Sequence, residues 1–422
     1  MPKNPHLPAL AALALSLGCA AGLTSTESTA GTTATYYQSG GSASYAWQAI
    51  SATGADQSAV CVANAGTFTL SNSTVTTSGD TSSSSASLAS GLDAAVLVKS
   101  ASVVSLVNCS VTTTGAGATG VFATGSGTTA GMSGGSIQCS DQWAHGAAAA
   151  SGAALTLSGV TVATGGADAA AVACGSGTLL ATSCTVSATG VDSPALHSAG
   201  TTTVTGGTYT ASGAEAAVVE GGGTLTATGA GFTTTATGKR GVLMFQSGTG
   251  TASGTFTQSG GSLTATAGPL FLVTNVTGAI NLTGVSATAA SGVLVEAGGT
   301  SAWGTSGSNG GVANLTASAQ ALTGNLVTDD AYSSIRATLH NGSTLTGTIN
   351  RAALTLDASS TWTVTGTSYL TTLSDAAGLG GSTFTNIVGN GHDVYYDAAL
   401  AANSYLASGT YALTGGGQLL PQ

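Results

Sequence analysis

The stretch TFTLSNSTVTTSG, residues 67–79, decides the fold. Phe68, Leu70 and Val75 are its apolar residues, and the odd step from Leu70 to position 73 or the five-residue step to Val75 frames the problem. A straight strand places residues two apart on one face, so Phe68 and Leu70 share a face while Val75, five further on, falls on the other. If Val75 is also buried, the chain turns between them. Asn72 marks the turn, because Asn and Gly accept a left-handed backbone at least cost.

The same grammar recurs along the chain. With Leu70 as position 0, the equivalents are Leu106, Met132, Leu157, Ala181, Val204, Ala227, Gln258 and Leu282, with steps of 23 to 26 residues and two longer ones of 36 and 31. Position +5 reads Val75, Val111, Ile137, Val162, Val186, Tyr209, Phe232, Leu263 and Ala287, apolar throughout. Position +2 reads Asn72, Asn108, Gly134, Gly159, Ser183, Gly206, Gly229, Gly260 and Gly284, a repeated corner. A second corner follows at Gly79, Gly115, Gly166, Gly190 and Gly213. Self-similarity at this period is the mark of a solenoid, in which one repeat cannot close its own apolar face and its neighbours do so. The reading is an all-β parallel β-helix (β-solenoid) of about 11–13 rungs with N- and C-terminal caps. LTGNL at 322, LTGTI at 345 and VTGTS at 364 read as the same corner continued into less regular rungs.

Composition agrees. The 422 residues include 64 Gly and only 5% charged residues, are 42% apolar and contain six Pro, which favours short strands joined by glycine turns. The formal charge of −10 and six Lys plus Arg exclude a nucleic-acid partner, since neutralising phosphates requires clustered cations. Lys3, the apolar run from Leu7 to Gly18 and the small residues Ala20 to Gly22 form the pattern of a secretory signal, too short to span a bilayer. Cys19 offers an alternative lipid-anchor site. No later segment reads as a transmembrane helix. The expected organisation is a signal peptide at 1–21, an N-terminal segment or cap at 22–55, regular rungs at 56–298, less regular rungs at 299–385 and a C-terminal cap at 386–422. Cys61, Cys109, Cys139, Cys174 and Cys184, odd in number and without CxxC spacing, read as small buried thiols.

Three groups of residues stand out as candidate sites. Acidic residues recur at the rung entrances, at Asp93, Asp168, Asp192 and Glu215, followed by Lys239 beside Arg240. Carboxylates stacked a rung apart raise one another's pKa or recruit a cation, so Asp168, Asp192, Glu215 and Lys239 are the catalytic alternative, with calcium the conceivable cofactor. The competing reading makes them solvated turn residues. Outward positions +4 and +6 carry a hydroxyl grid, with Thr74, Thr76, Thr161, Thr208 and Thr210 the candidate ligand-binding residues. Such a grid resembles the ice-binding face of some antifreeze proteins, but Gln138, Ala163 and Gly231 interrupt it. In GNGHDVYYD, residues 389–397, Tyr395 and Tyr396 suit sugar stacking or cap packing. His145, His197, His340 and His392 are scattered, without a metal or triad signature.

Rungs such as GTFTLSNSTVTTSG, AALTLSGVTVATGG and TTTVTGGTYTASG, behind a signal segment, resemble exported bacterial right-handed β-helix proteins, the adhesins and autotransporter passengers. The similarity covers residues 56–370 and lies in the style of the repeat. It implies a right-handed coil at the cell surface or outside the cell, binding glycans or surface proteins through its lateral wall, with no cofactor. A polysaccharide lyase or glycoside hydrolase using the acidic ladder, and an ice-binding protein, are the alternative functions. The chain ends in GGGQLLPQ, without the terminal membrane barrel of an autotransporter.

Overall fold

All nine residues of the +2 column adopt positive φ, from 47° at Asn72 to 64° at Gly229. That corner sets the path of every regular turn in a computed structural model that describes residues 33–250 and 252–422. The signal segment at 1–21 and Cys19 lie outside the described residues. The fold is an all-β parallel β-solenoid of about 16 turns. Its strands bond in parallel to their equivalents one turn on, as in Thr67–Ser71 with Val103–Val107 and then Thr129–Ser133. The turn count exceeds the 11–13 read from sequence partly because residues 33–52 already complete a turn. Thr33–Ser39, Ser42–Ala46 and Ala49–Ala52 pair with Gln57–Ala63, Thr67–Ser71 and Thr74–Thr77.

The chain divides into two compact units, Met1–Ala214 and Glu215–Gln422. Each regular turn has three strands, so each unit presents three walls. The first wall holds positions −3 to +1 and the second +4 to +7, on either side of the left-handed corner. Their inward columns form the core: Phe68, Leu70, Val75 and their equivalents are buried throughout, with Ala287 the half-buried exception at +5. Ser73, Cys109, Val160, Cys184 and Val285 at +3 are buried as well, because the corner has reversed the alternation. At about 1.5–3 kcal/mol for each large side chain, these stacked columns are the main source of stability. All five cysteines of residues 33–422 are buried free thiols, and Cys109 Sγ donates to the Leu70 carbonyl at 3.3 Å.

The second corner has another origin. Gly115, Gly190 and their equivalents do not need positive φ; a Cβ on Gly115 would lie 1.8 Å from the Gly79 carbonyl oxygen, and one on Gly190 1.8 Å from that of Gly166. Glycine is required there because successive turns touch backbone to backbone. The LTG motifs belong to this corner and not to the left-handed one. Leu322 pairs with Leu345 and Leu345 with Trp362 on the second wall, and a Cβ on Gly347 would meet the Gly324 oxygen at 2.1 Å. The left-handed corner of those turns falls at Ala319 and Asn341. The short LTG string matches either corner; only the register separates them.

The third wall comprises, in the first unit, Thr33–Ser39, Gln57–Ala63, Val96–Lys99, Val121–Thr124, Ala147–Ala150, Val172–Cys174 and Leu196–Ser198. In the five from Gln57–Ala63 to Val172–Cys174 consecutive residues are buried, so side chains on both faces carry little exposed surface. The outer face is a column in register, Tyr37, Cys61, Leu97, Phe122, Ala148, Ala173 and His197. The 36-residue step supplies part of its cover. A helix at Ser84–Ser90, started by Ser83 capping the Ala86 N–H and ended by left-handed Gly91, lies over Phe122. A Cβ at Gly91 would meet the Phe122 ring at 2.6 Å. In the second unit the outer residues Val218, Leu243 and Leu272 are covered by Phe245 and Trp303, whose rings lie 4.5 Å apart. At its C-terminal end Val394–Tyr396 pairs with Ser368–Leu370 and with Gln418–Pro421, which Tyr411–Thr414 meets antiparallel.

Candidate functional site

The hydroxyl grid forms true ladders in the first unit. Thr74, Ser110, Ser136, Thr161, Thr185 and Thr208 are register partners on successive turns, and so are Thr76, Thr112, Gln138, Ala163, Ser187 and Thr210. None of these twelve is buried. Where Gln138 and Ala163 break the pattern, the small Ala163 side chain leaves a furrow of about 430 Å³. Thr112, Thr114, Gln138, Ser140, Ser187 and Thr189 line it with hydroxyl and amide groups. Sequence reading missed a wider grid on the first wall, three outward positions abreast, as at Thr201, Thr203 and Thr205. In the second unit its middle column runs Thr226, Thr257, Asn281, Thr316, Thr338 and Thr355.

Of the acidic ladder, the structure brings Asp168 and Asp192 together. Both are exposed in left-handed backbone, with φ of 56° and 54°. The Asp168 N–H donates to the Val191 carbonyl, which sets the two residues on adjacent turns about 4.8 Å apart. Asp93 is not part of that arrangement. It is buried at 1% exposure, its Oδ1 accepts the Gln57 N–H at 3.0 Å, and its Oδ2 has no partner. Burial, with Asp56 and Asp80 nearby, pushes its pKa up to about 7. In the second unit Glu215 is buried and lies 3.5 Å from Arg240, an ion pair and not an open carboxylate, while Lys239 is half-buried at the following corner. Also in this unit, burial and the adjoining Asp329 raise the Glu296 pKa. Among the described residues no group of three or more His, Cys, Asp or Glu side chains is placed to hold a metal.

Asp168 and Asp192 border a groove that no motif announced. On the third wall of the first unit the outer column shrinks from Phe122 to Ala148 and Ala173 before His197, and the missing side-chain volume leaves a cleft of about 440 Å³. That falls within the usual size of a small-molecule site. Ala148, Ala170 and Ala173 form its floor, Phe122, Leu88 and Pro194 are apolar lining residues, and Asp168, Asp192, His145 and His197 are the polar ones. His145 and His197 are 52 residues apart in sequence yet only two turns apart in the coil. Burial lowers the His145 pKa to about 4, partly offset by its 3.2 Å contact with the Ala170 carbonyl, so the imidazole is neutral at pH 7.

The aromatic cluster near the C-terminus separates into two roles. Tyr396 is fully buried, its hydroxyl donating to the Gly409 carbonyl at 2.9 Å, and so takes no ligand. Tyr395 is partly exposed and stacks on its register partner Tyr369, with centroids 5.4 Å apart.

The chain matches no protein-family model, and no curated protein is significantly similar to it in sequence. Among the described residues no helix is long and apolar enough to cross a membrane.

Proposed function

We propose that this chain is an exported adhesive protein, a right-handed solenoid capped at both ends that holds neutral glycans of a cell surface or matrix against its lateral wall. The observation that carries the reading is the furrow on the second wall. Its lining offers uncharged donors and acceptors at the 4.8 Å spacing of stacked strands, the form suited to many weak, repeated contacts with polyhydroxylated chains. Export rests on the signal-like residues 1–21, and the adhesin comparison on the style of the repeat.

A glycan array probed with the purified chain, with retained glycans then checked for cleavage, tests the proposal. Retention of neutral glycans without cleavage is expected, and Ala163→Leu, which fills the furrow, should abolish it. A folded chain that retains no glycan, and whose deletion leaves cell attachment unchanged, sinks the adhesive reading. Cleavage of the retained glycan would transfer the function to the Asp168 and Asp192 pair.

A further inference from the structure

The groove of the third wall differs from the furrow in every property that selects a ligand. Its floor is three alanine methyls and not a row of hydroxyls, and two carboxylates reach it from adjacent turns. No Lys or Arg is among its lining residues, and His145 carries no charge at neutral pH. The site is therefore electronegative, which disfavours uronates, sialates and phosphates and favours a cation.

The shape narrows the choice of cation. Ala148 and Ala173 are register partners on the same face of adjacent strands and Ala170 lines the groove with them, so the floor is a flat patch of methyl groups two strands wide, more than a single lysine stem needs. A pyranose ring presents such a flat C–H face, and the partly exposed Pro194 and Leu88 add apolar surface to receive it.

We propose that this groove binds an amino sugar with a free amine, its C–H face on Ala148, Ala170 and Ala173. The ammonium pairs with one of Asp168 and Asp192, the other carboxylate accepts from a neighbouring hydroxyl, and the His145 and His197 imidazoles hydrogen-bond the rest of the ring. The backbone favours the arrangement: both aspartates stand at left-handed corners, which fix where their short side chains start.

Isothermal titration of the full chain with glucosamine oligomers, and separately with fully N-acetylated oligomers of the same length, tests the assignment. The free-amine oligomer should bind at least tenfold more tightly, and the difference should shrink as salt is raised. Asp168→Asn with Asp192→Asn preserves shape at exposed positions where Asn tolerates positive φ, so the fold is kept. It should cost tenfold or more and remove the salt dependence. Ala173→Phe, on the outer face and away from the inward core, should abolish binding, while Ala163→Leu on the second wall should leave it unchanged. No binding of the free-amine oligomer, equal binding by the double variant, or loss through Ala163→Leu each overturns the proposal. The last would assign the sugar to the furrow, so this site and the adhesive wall fail separately.

Discussion

Gly190→Ala and Gly159→Asn test whether the two glycine corners exist for different reasons. A Cβ on Gly190 would lie 1.8 Å from the Gly166 oxygen, and Cβ contacts under 3.0 Å essentially never occur, so the two turns must part by at least 1.2 Å. The Thr189 N–H to Thr164 carbonyl bond, now 2.9 Å, and the Ser193 Oγ to Gly166 carbonyl bond, now 2.8 Å, would both open past hydrogen-bonding distance. Two lost bonds at about 1–1.5 kcal/mol each come to about 3 kcal/mol. The reduced freedom of the unfolded chain returns roughly 0.4–1 kcal/mol, leaving a loss of about 2 kcal/mol. Gly159 has φ of 60° and nothing within 4 Å of a Cβ, and Asn72 and Asn108 already fill its column. Gly159→Asn should change stability by under about 0.5 kcal/mol. Urea unfolding of both variants, with hydrogen exchange at Thr189 and Gly165, measures the contrast. Equal midpoints for the two variants would refute close approach as the reason for the second corner.

Asp93 couples stability to pH. Its native pKa of about 7 exceeds the unfolded value of about 3.9, so the native state holds a proton that the unfolded chain has released between those limits. Stability should therefore fall as pH rises from about 4 to 7, by up to about 4 kcal/mol, and Asp93→Asn should flatten that slope in a melt series. His145 has the opposite sign: its native pKa of about 4 lies below the unfolded value, so its contribution is lost as pH falls below about 6.5. Its imidazole resonances should titrate near pH 4; a midpoint above 6 would contradict the buried environment. Trp303→Ala should uncover Val218, Leu243 and Leu272, cost about 2 kcal/mol and increase binding of a hydrophobic dye.

The inward columns were legible because each position repeats many times. Leu70 and Val75 announce two buried faces, and Asn72 with eight equivalents announces the corner between them. The third wall was not legible in the same way. AAAA at 147–150 and VAC at 172–174 have both faces buried, so they show no alternation, and a short apolar run does not reveal which face is outward. The candidate groove was half legible: Asp168 and Asp192 could be aligned by rung length, whereas His145 and His197 could not, since they join the site only through strand register. The phase of LTG at 322 and 345 failed for a related reason, because a three-residue string carries no information on which of two glycine corners it forms.

Rung length connects the fold to its sites. The 36-residue step from Leu70 to Leu106 carries the helix at Ser84–Ser90 over the outer face of Phe122. In the second unit the 35-residue step from Leu282 to Ala317 carries Trp303 over Leu243 and Leu272. Between Met132 and Ala181 the steps are 25 and 24 residues, with none to spare for a cover, and there the outer column narrows to Ala148 and Ala173. An apolar outer face left uncovered costs solubility unless its side chains are small or its place is taken by a ligand. Alanine at 148 and 173 satisfies the first condition, and Asp168 and Asp192 on the same groove supply the polarity the second requires. Removing residues 83–90 with a short glycine link should expose Leu97 and Phe122 and lengthen the groove by about two turns. That variant should aggregate more readily than wild type; if it stays as soluble and as stable, the helix is not a cover and the link between rung length and groove is wrong.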